Sequence, residues 1–440
     1  MEYLTVAETA ERLGVKRETV YAYASRGLLT SVRGAQRRGS RFAQDEVEAL
    51  AGRGREAGDP SGAVERIRTR VTLVADGGPY YRGVPAGEIA RAGGTLADVA
   101  GLLWQAPGPV AFDPDPGLLP VVRSALAALP AGARGTDRFR LAVAALAAAD
   151  PLRADVGAAA VTRTAASLLG TVVAALADGA GPDDTAARPS SGTSRVADPD
   201  PGARDVPLGA DRQAEGEGLA ARLWPALARD PSADPGAGPD RVGTALVLLA
   251  DHGLAASTVA ARVAAGTLAD VHAVVSAGLG ALDGPRHGLA SGLAYRFLAG
   301  ALEDPHAALA ERLRAGERVP GFGHGVYTGP DPRAVELLAV LRGDPAAERA
   351  LAAVDALTEG LARGDGPAPN IDLALAALML AHDLRSDAGE LVFAVARTVG
   401  WVAHALEEYA EPGPRARPRG VYTGPRPGST SAAWTTTLSE

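Results

Sequence analysis

The 440-residue chain contains no cysteine, 2 methionines, 4 tryptophans, 6 phenylalanines and a single lysine, Lys16, so every other basic residue is arginine. Without thiols there is no disulfide framework, cysteine-ligated zinc, iron–sulfur cluster or cysteine nucleophile, and the composition suits a reducing, cytoplasmic setting. Schiff-base chemistry or a phosphate-loop ATPase would have to fall on Lys16. No uninterrupted apolar stretch approaches about 18 residues, so no membrane span is expected. The acidic, amphipathic start MEYLTVAETAERLG lacks the basic start and apolar run of a signal peptide. Histidine is scarce and uneven: all seven (252, 272, 287, 306, 324, 382 and 404) lie in the last 190 residues. Any histidine chemistry therefore belongs to the C-terminal half.

What is present is a globular composition, with 47% hydrophobic residues and a net formal charge of −8. The length predicts two or three domains. Residues 1–56 read as a separate unit. Thr5 and Glu8 form a capping box that starts a helix near Val6, with Val6, Ala10 and Leu13 as its apolar stripe. A second helix is expected from about Lys16 to Arg26, with Val20 and Tyr23 inward and Gly27 as stop. A hairpin wing follows (Leu28 to Val32, a turn with Arg37 and Arg38, then Arg41-Phe42), and residues 44–51 close the unit as a third helix. Residues 12–41 hold eight basic groups and one acid, a local charge of +7 inside an acidic chain. Lys16, Arg17, Arg37, Arg38 and Arg41 are the candidate DNA-phosphate contacts. In Leu4-Thr5-Val6-Ala7-Glu8, Leu13-Gly14-Val15, Thr19-Val20-Tyr21 and Arg41-Phe42 the unit resembles the MerR and excisionase-like helix-turn-helix families. A docking or dimerisation module with a solvated arginine face is the other reading.

Residues 57–66 read as the end of a Gly/Pro/charged linker. From Ile67 the chain is Ala/Leu-rich with helical spacing and Gly/Pro stops, which predicts an all-α body. Residues 178–217, rich in Asp, Gly, Pro and Ser, have too little apolar content to offset ordering, and a disordered surface insertion is expected there.

Four polar segments interrupt the apolar helices: Ala250-Asp251-His252 through Ser257-Thr258, Gly284-Pro285-Arg286-His287-Gly288-Leu289-Ala290, Pro320-Gly321-Phe322-Gly323-His324-Gly325-Val326-Tyr327, and Asn370-Ile371-Asp372. Loops of this kind, held by a helical scaffold, bring backbone and side chains close to a ligand. Arg397 interrupts an apolar helix, where it needs an anionic partner: a buried carboxylate of the protein, or a substrate carboxylate, which Arg binds bidentately. The histidine spacings lack an HExxH pattern or a helical His-x-x-x-His pair, so no catalytic metal is expected; no cofactor is expected either.

Together these segments resemble citrate synthase: DHxLxAST at 251, GPxHG at 284, PGFGH at 320 with Asp331-Pro332-Arg333, NxD at 370 and RPRxxYTG at 417 stand in this order. The resemblance implies a large domain of residues 67–283 and 391–440, a small domain of 284–390, and a homodimer. It also implies condensation of acetyl-CoA with oxaloacetate to citrate and CoA. Asp372 would be the base, His287 the donor to the acetyl carbonyl oxygen, and His324 the donor to the oxaloacetate ketone. His252, Arg333 and Arg397 would bind oxaloacetate, joined by Arg417 from the neighbouring subunit, while Pro320, Gly321, Phe322 and Gly323 would run along CoA. His272, His306, His382 and His404 acquire no role. The chain departs from the family at Gly325 and Thr328, where basic residues are common, and at Ser291, which puts the CoA phosphate contacts in question, with Arg286 a candidate replacement. Two alternatives remain: 2-methylcitrate synthase using propionyl-CoA, and a DNA-binding regulator whose body senses oxaloacetate or CoA esters without turnover.

Overall fold

A computed structural model describes residues 3–13, 17–25, 29, 31–33, 40–44, 46–47, 67–75, 77–179, 218–327, 329–363 and 366–411. The described residues form two compact units that part between positions 66 and 67. The expected linker 57–66, all of the expected insertion but Asp178 and Gly179, and residues 412–440 lie outside the described residues.

In the first unit, strand β1 (Tyr3–Thr5) runs directly into the helix Val6–Leu13, and a second helix spans Arg17–Ser25. The capping box forms as the sequence requires: the Glu8 carboxylate accepts from the Thr5 amide at 2.8 Å, and Thr5 Oγ1 accepts from the Glu8 amide at 3.3 Å. These bonds also hold the Glu8 carboxyl below its ordinary range. The wing is an antiparallel pair, β2 (Ser31–Arg33) and β3 (Ser40–Ala43), with β1 on the other side of β3. The three residues of β1 carry no alternation of their own; pairing with β3 creates the strand. Ala10, Val20, Leu29, Phe42 and Val47 form the core, with Leu4, Val6 and Tyr23 packed on it. Of the expected third helix, Gln44, Glu46 and Val47 are described and helical.

The second unit is helical apart from a small antiparallel sheet in the order β4 (Thr72–Ala75), β5 (Gly78–Tyr81), β6 (Val84–Pro85). Its axis is the 22-residue helix Ala388–Tyr409, buried along almost its whole length. Helices Leu96–Trp104, Gly238–Leu249, Ala256–Gly266 and Val271–Leu282 pack around it. A second group, Ala290–Ala301, Pro305–Arg314, Pro332–Leu341, Glu348–Ala362 and Ile371–Ala381, packs mostly within itself. Among the described residues, the helix Ala158–Asp178 alone is long and apolar enough to cross a membrane by length and composition. Most of it is buried against neighbouring helices, including Leu219–Leu227.

One glycine brings the axial helix onto the loop that precedes Ala256. At Gly400 a Cβ would stand 2.5 Å from the Ala250 carbonyl oxygen and 2.4 Å from Asp251 Oδ1. Only a bare helix backbone fits, and the Gly400 amide donates to that carbonyl at 3.1 Å. Gly400→Ala is accordingly expected to lower the unfolding free energy by about 1–3 kcal/mol, the usual penalty of overpacking. A urea titration checks this as a lower midpoint with an unchanged slope.

Candidate active site

The axial helix places one face against residues 249–253. Arg397, Gly400 and His404, spaced three and four residues apart, lie one above another. Arg397 Nε donates to the Leu249 carbonyl at 2.9 Å, the Gly400 amide to Ala250, and His404 Nε2 lies 3.3 Å from Asp251 Oδ2. The polarity of this buried chain follows from its donors. Arg262 Nη1, which can only donate, lies 2.6 Å from His404 Nδ1, so Nε2 carries the ring proton and donates to Asp251. Arg262 pairs in turn with Glu407 at 2.7 Å and Glu408 at 2.5 Å. Asp251 also accepts from the Gly253 amide at 2.9 Å, closing the turn that carries His252. Burial opposes ionisation of Asp251, but His404 and Arg397 hold its carboxyl below the ordinary range.

Two of the three candidate histidines have their tautomers set by neighbours. Trp401 Nε1, a donor only, lies 3.3 Å from Ser257 Oγ, and Ser257 Oγ lies 2.7 Å from His287 Nε2. The indole donates to one lone pair of the serine oxygen, and the serine keeps a proton to give to His287 Nε2, the arrangement in which the proton of the neutral ring sits on Nδ1. Burial, then Arg397 and Arg333, pull the His287 pKa down to about 4, so the ring is neutral at pH 7. The Nδ1 of His324 accepts from the amides of Val326 at 3.0 Å and Tyr327 at 3.3 Å, which puts its proton on Nε2. Burial and Arg333 lower this pKa as well. Arg333 Nη2 lies 3.3 Å from that Nε2. With the ring proton on Nε2 both atoms are donors, and they stand side by side at the cleft.

The loop Pro320–His324 is stitched to the segment before Ile371. The Gly323 amide donates to Ala368 at 2.8 Å, the Asn370 amide to Gly321 at 2.9 Å, and Asn370 Nδ2 to Gly323 at 2.8 Å. Gly321 has φ +83, and a Cβ there would meet Leu373 at 2.8 Å, so the loop lies close against the start of the helix Ile371–Ala381. Asp331 fastens both helix starts: it caps Pro332–Leu341, accepts from the Ile371 amide at 3.1 Å and grips Arg333 bidentately at 3.0 and 2.8 Å. Asp372, in the first turn after the Asn370 cap, has its pKa pushed up to about 7 by burial, with Arg333 opposing and Asp331 adding to the rise. Arg397 is 1% exposed; among the described residues its Nη1 and Nη2 have no hydrogen-bond partner, and its guanidinium lies 4.6 Å over the Phe393 ring. Burial pulls its pKa to about 10, which leaves it charged at pH 7. Of the two partners the sequence allows for this arginine, no protein carboxylate among the described residues is in hydrogen-bonding contact.

These groups share one cleft of about 1290 Å³, lined by His252, His287, His324, Arg333, Asp372, Arg397 and the run Pro320–Gly323. Its outer part is lined by Arg286, Arg296, Arg312 and Arg318, with Glu317 beside Arg312. Ser291 is fully buried and donates to the Gly288 carbonyl at 3.1 Å, so its hydroxyl does not face the cleft. Lys16, Arg37, Arg38, Thr328 and Arg417 lie outside the described residues. Arg17 opens its helix, and Arg41 pairs with Thr5 across β3 and β1.

The comparison with known families accords with this geometry. The family described as citrate synthase, C-terminal domain, matches residues 62–419. The chain belongs to the citrate synthase family. A helix-turn-helix domain family matches residues 3–55. Citrate synthase of Haloferax volcanii is 39% identical over 189 residues, 41% of this chain and 49% of that protein. Citrate synthase 2 of Bacillus subtilis is 37% identical over 190 residues, 41% and 50% of the two chains. The chain thus spans about half the length of these curated relatives. Among solved structures, the ternary complex of Thermoplasma acidophilum citrate synthase with carboxymethyl coenzyme A and oxaloacetate has a TM-score of 0.65 at 23% identity, covering 84% of this chain and 97% of that one. Citrate synthase from Thermotoga maritima has a TM-score of 0.62 at 22% identity, covering 83% and 96%. At those identities the likeness is one of fold.

Ser257, Tyr327 and Asp331 stand within the polar segments and motifs of the sequence without a role of their own, and Trp401 stands within an apolar helix; for Asp331 the sequence holds one usable signal, the Asp-Pro helix start with Arg two residues on. The raised Asp372 pKa has a stability consequence. Because the folded value lies above the unfolded one near 4, the native state holds an extra proton between about pH 4 and 7, and its stability falls as pH rises through that window. Asp372→Asn is expected to exceed the native chain in stability by about 2–4 kcal/mol above pH 7. Urea titrations at pH 4 and pH 8 check this, with the difference vanishing at the lower pH.

Proposed function

We propose that the chain is a citrate-synthase-type condensing enzyme that joins acetyl-CoA to oxaloacetate and releases citrate and CoA. The observation that carries the reading is the convergence of donors on one cleft: His324, Arg333 and Arg397 all line it, and among the described residues Arg397 Nη1 and Nη2 have no hydrogen-bond partner. A dianion bearing a ketone satisfies them all, and fixed cations in a partly dry site bind it without reorganisation.

A thioester α-proton, with a pKa of about 20, lies far above any carboxylate. Raising Asp372 to about 7 closes only part of the gap. The remainder falls to stabilisation of the developing enolate, for which neutral His287 presents Nδ1–H. In this sequence Asp372 takes the methyl proton while His287 donates to the thioester oxygen. The nucleophilic carbon attacks the oxaloacetate ketone, whose oxygen takes up a proton as His324 donates to it. Water then cleaves citryl-CoA to citrate and CoA. Arg286, Arg296 and Arg318 in the outer cleft suit the CoA phosphates, and the active form is a homodimer in which Arg417 reaches the neighbouring subunit's oxaloacetate. Propionyl-CoA is a competing acyl donor, since one methylene changes binding by only about 1–3 kcal/mol.

Release of free CoA thiol from acetyl-CoA or propionyl-CoA with oxaloacetate, followed spectrophotometrically, tests the assignment. Asp372→Ala is expected to lower kcat by about 10²–10⁴-fold, and the native rate should climb with pH through about 7 as Asp372 ionises. No turnover above the variant would overturn the enzyme assignment.

The helix-turn-helix family match at residues 3–55 favours a second property, DNA binding through Lys16, Arg17, Arg37, Arg38 and Arg41. If the wing contacts phosphates, changing Arg37 and Arg38 to Ala should weaken retention on duplex DNA and reduce the slope of log K against log salt by about 2. Equal retention by both forms would remove the wing from the interface.

A further inference from the structure

Tyr327 is nearly buried, does not line the cleft, and touches two of the groups that do. Its hydroxyl lies 2.8 Å from His252 Nε2, and its ring stacks at 4.7 Å on His324 with a 35° tilt. The same residue supplies one of the amides that donate to His324 Nδ1. His252 and His324 themselves meet edge to face at 5.3 Å.

We propose that Tyr327 is a positioning residue of the dicarboxylate pocket, its hydroxyl donating to His252 Nε2 and thereby fixing His252 as a donor toward the cleft through Nδ1. The inference deepens the proposed function and rests on that reading for the identity of the ligand. Three observations support it. Burial together with Arg333 and Arg397 drives the His252 pKa far down, so the ring is neutral and only one nitrogen carries a proton. Burial raises the Tyr327 pKa to about 12, so the hydroxyl keeps its proton and has one to give. With Nε2 occupied, Nδ1 is the nitrogen left for the cleft that His252 lines, and an anionic ligand needs a donor there. Without the hydroxyl, the ring is free to adopt the Nε2–H form, which turns a lone pair toward the anion. The arrangement parallels His287 and His324, where Ser257 and the backbone amides occupy one nitrogen and leave the other as N–H.

The test uses the full-length chain labelled with ¹⁵N-histidine, its His252 signals assigned by their loss in His252→Gln. The native chain is expected to show His252 as the Nδ1–H tautomer across pH 6–9, and Tyr327→Phe to move it toward Nε2–H. Calorimetric binding of oxaloacetate should weaken about tenfold in Tyr327→Phe, as expected for one hydrogen bond to a charged group. In the turnover assay KM for acyl-CoA should stay within about twofold, whereas a general loss of packing would shift both KM values and kcat. A native Nε2–H tautomer overturns the inference, as does a Tyr327→Phe chain that keeps both the native tautomer and native oxaloacetate affinity. If the native chain binds no oxaloacetate, the dicarboxylate reading falls, and the ring shifts still decide what Tyr327 does to His252.

Discussion

The placement of one guanidinium governs the architecture of the cleft. Arg397 sits within a buried helix, where an unpaired charge is among the most costly groups a fold can carry. The structure reduces that cost without neutralising the side chain: Nε is bonded to the Leu249 carbonyl, Phe393 lies beneath the guanidinium, and Asp251 stands nearby as a buried countercharge. The two amino groups are left for the cleft. Holding this geometry requires the loop 249–253 to lie flush on the axial helix, which is why position 400 has no side chain and why the Arg262–His404–Asp251 chain is bonded throughout.

A second consequence of the same helix is control of proton position. Trp401, one residue beyond Gly400, holds Ser257, and Ser257 holds His287. Neutral histidines are ambiguous because either nitrogen can carry the proton, and a donor needed for developing charge is useless if the tautomer is wrong. Burial with Arg397 and Arg333 at His287, and burial with Arg333 at His324, disfavours the imidazolium form, and a local donor then occupies one ring nitrogen and leaves the other for the cleft. The same arginines that line the cleft also supply the field that lowers the pKa values of its histidines.

Much of this was legible in one dimension. The capping box of Thr5 and Glu8, the Asn370 cap before Asp372 and the Asp331 cap before Arg333 are local hydrogen-bonding patterns, complete within a few residues, so their spacing alone predicts them. The polar segments at 251, 284, 320 and 370 stand out because they interrupt apolar helices. The supporting residues were not legible in the same way. Ser257 and Trp401 are 144 positions apart, and Tyr327 and His252 are 75 apart. A serine, a tryptophan and a tyrosine in helix or loop have many ordinary uses, and nothing local marks a distant partner. Strand β1 escaped for the same reason, since pairing with β3 makes three residues a strand.

The sequence by itself determined the helical body, the separate basic unit at the N-terminus, and which side chains carry charge and hydrogen bonds in the last 190 residues, because these follow from residue type, periodicity and short-range capping. Only the tertiary structure decided the protonation states. The raised pKa of Asp372, the lowered pKa values of His252, His287 and His324, and the unpaired amino groups of Arg397 arise from burial and from charges brought together across long stretches of chain. Desolvation and Coulomb interactions depend on distance in space, which the order of residues does not contain.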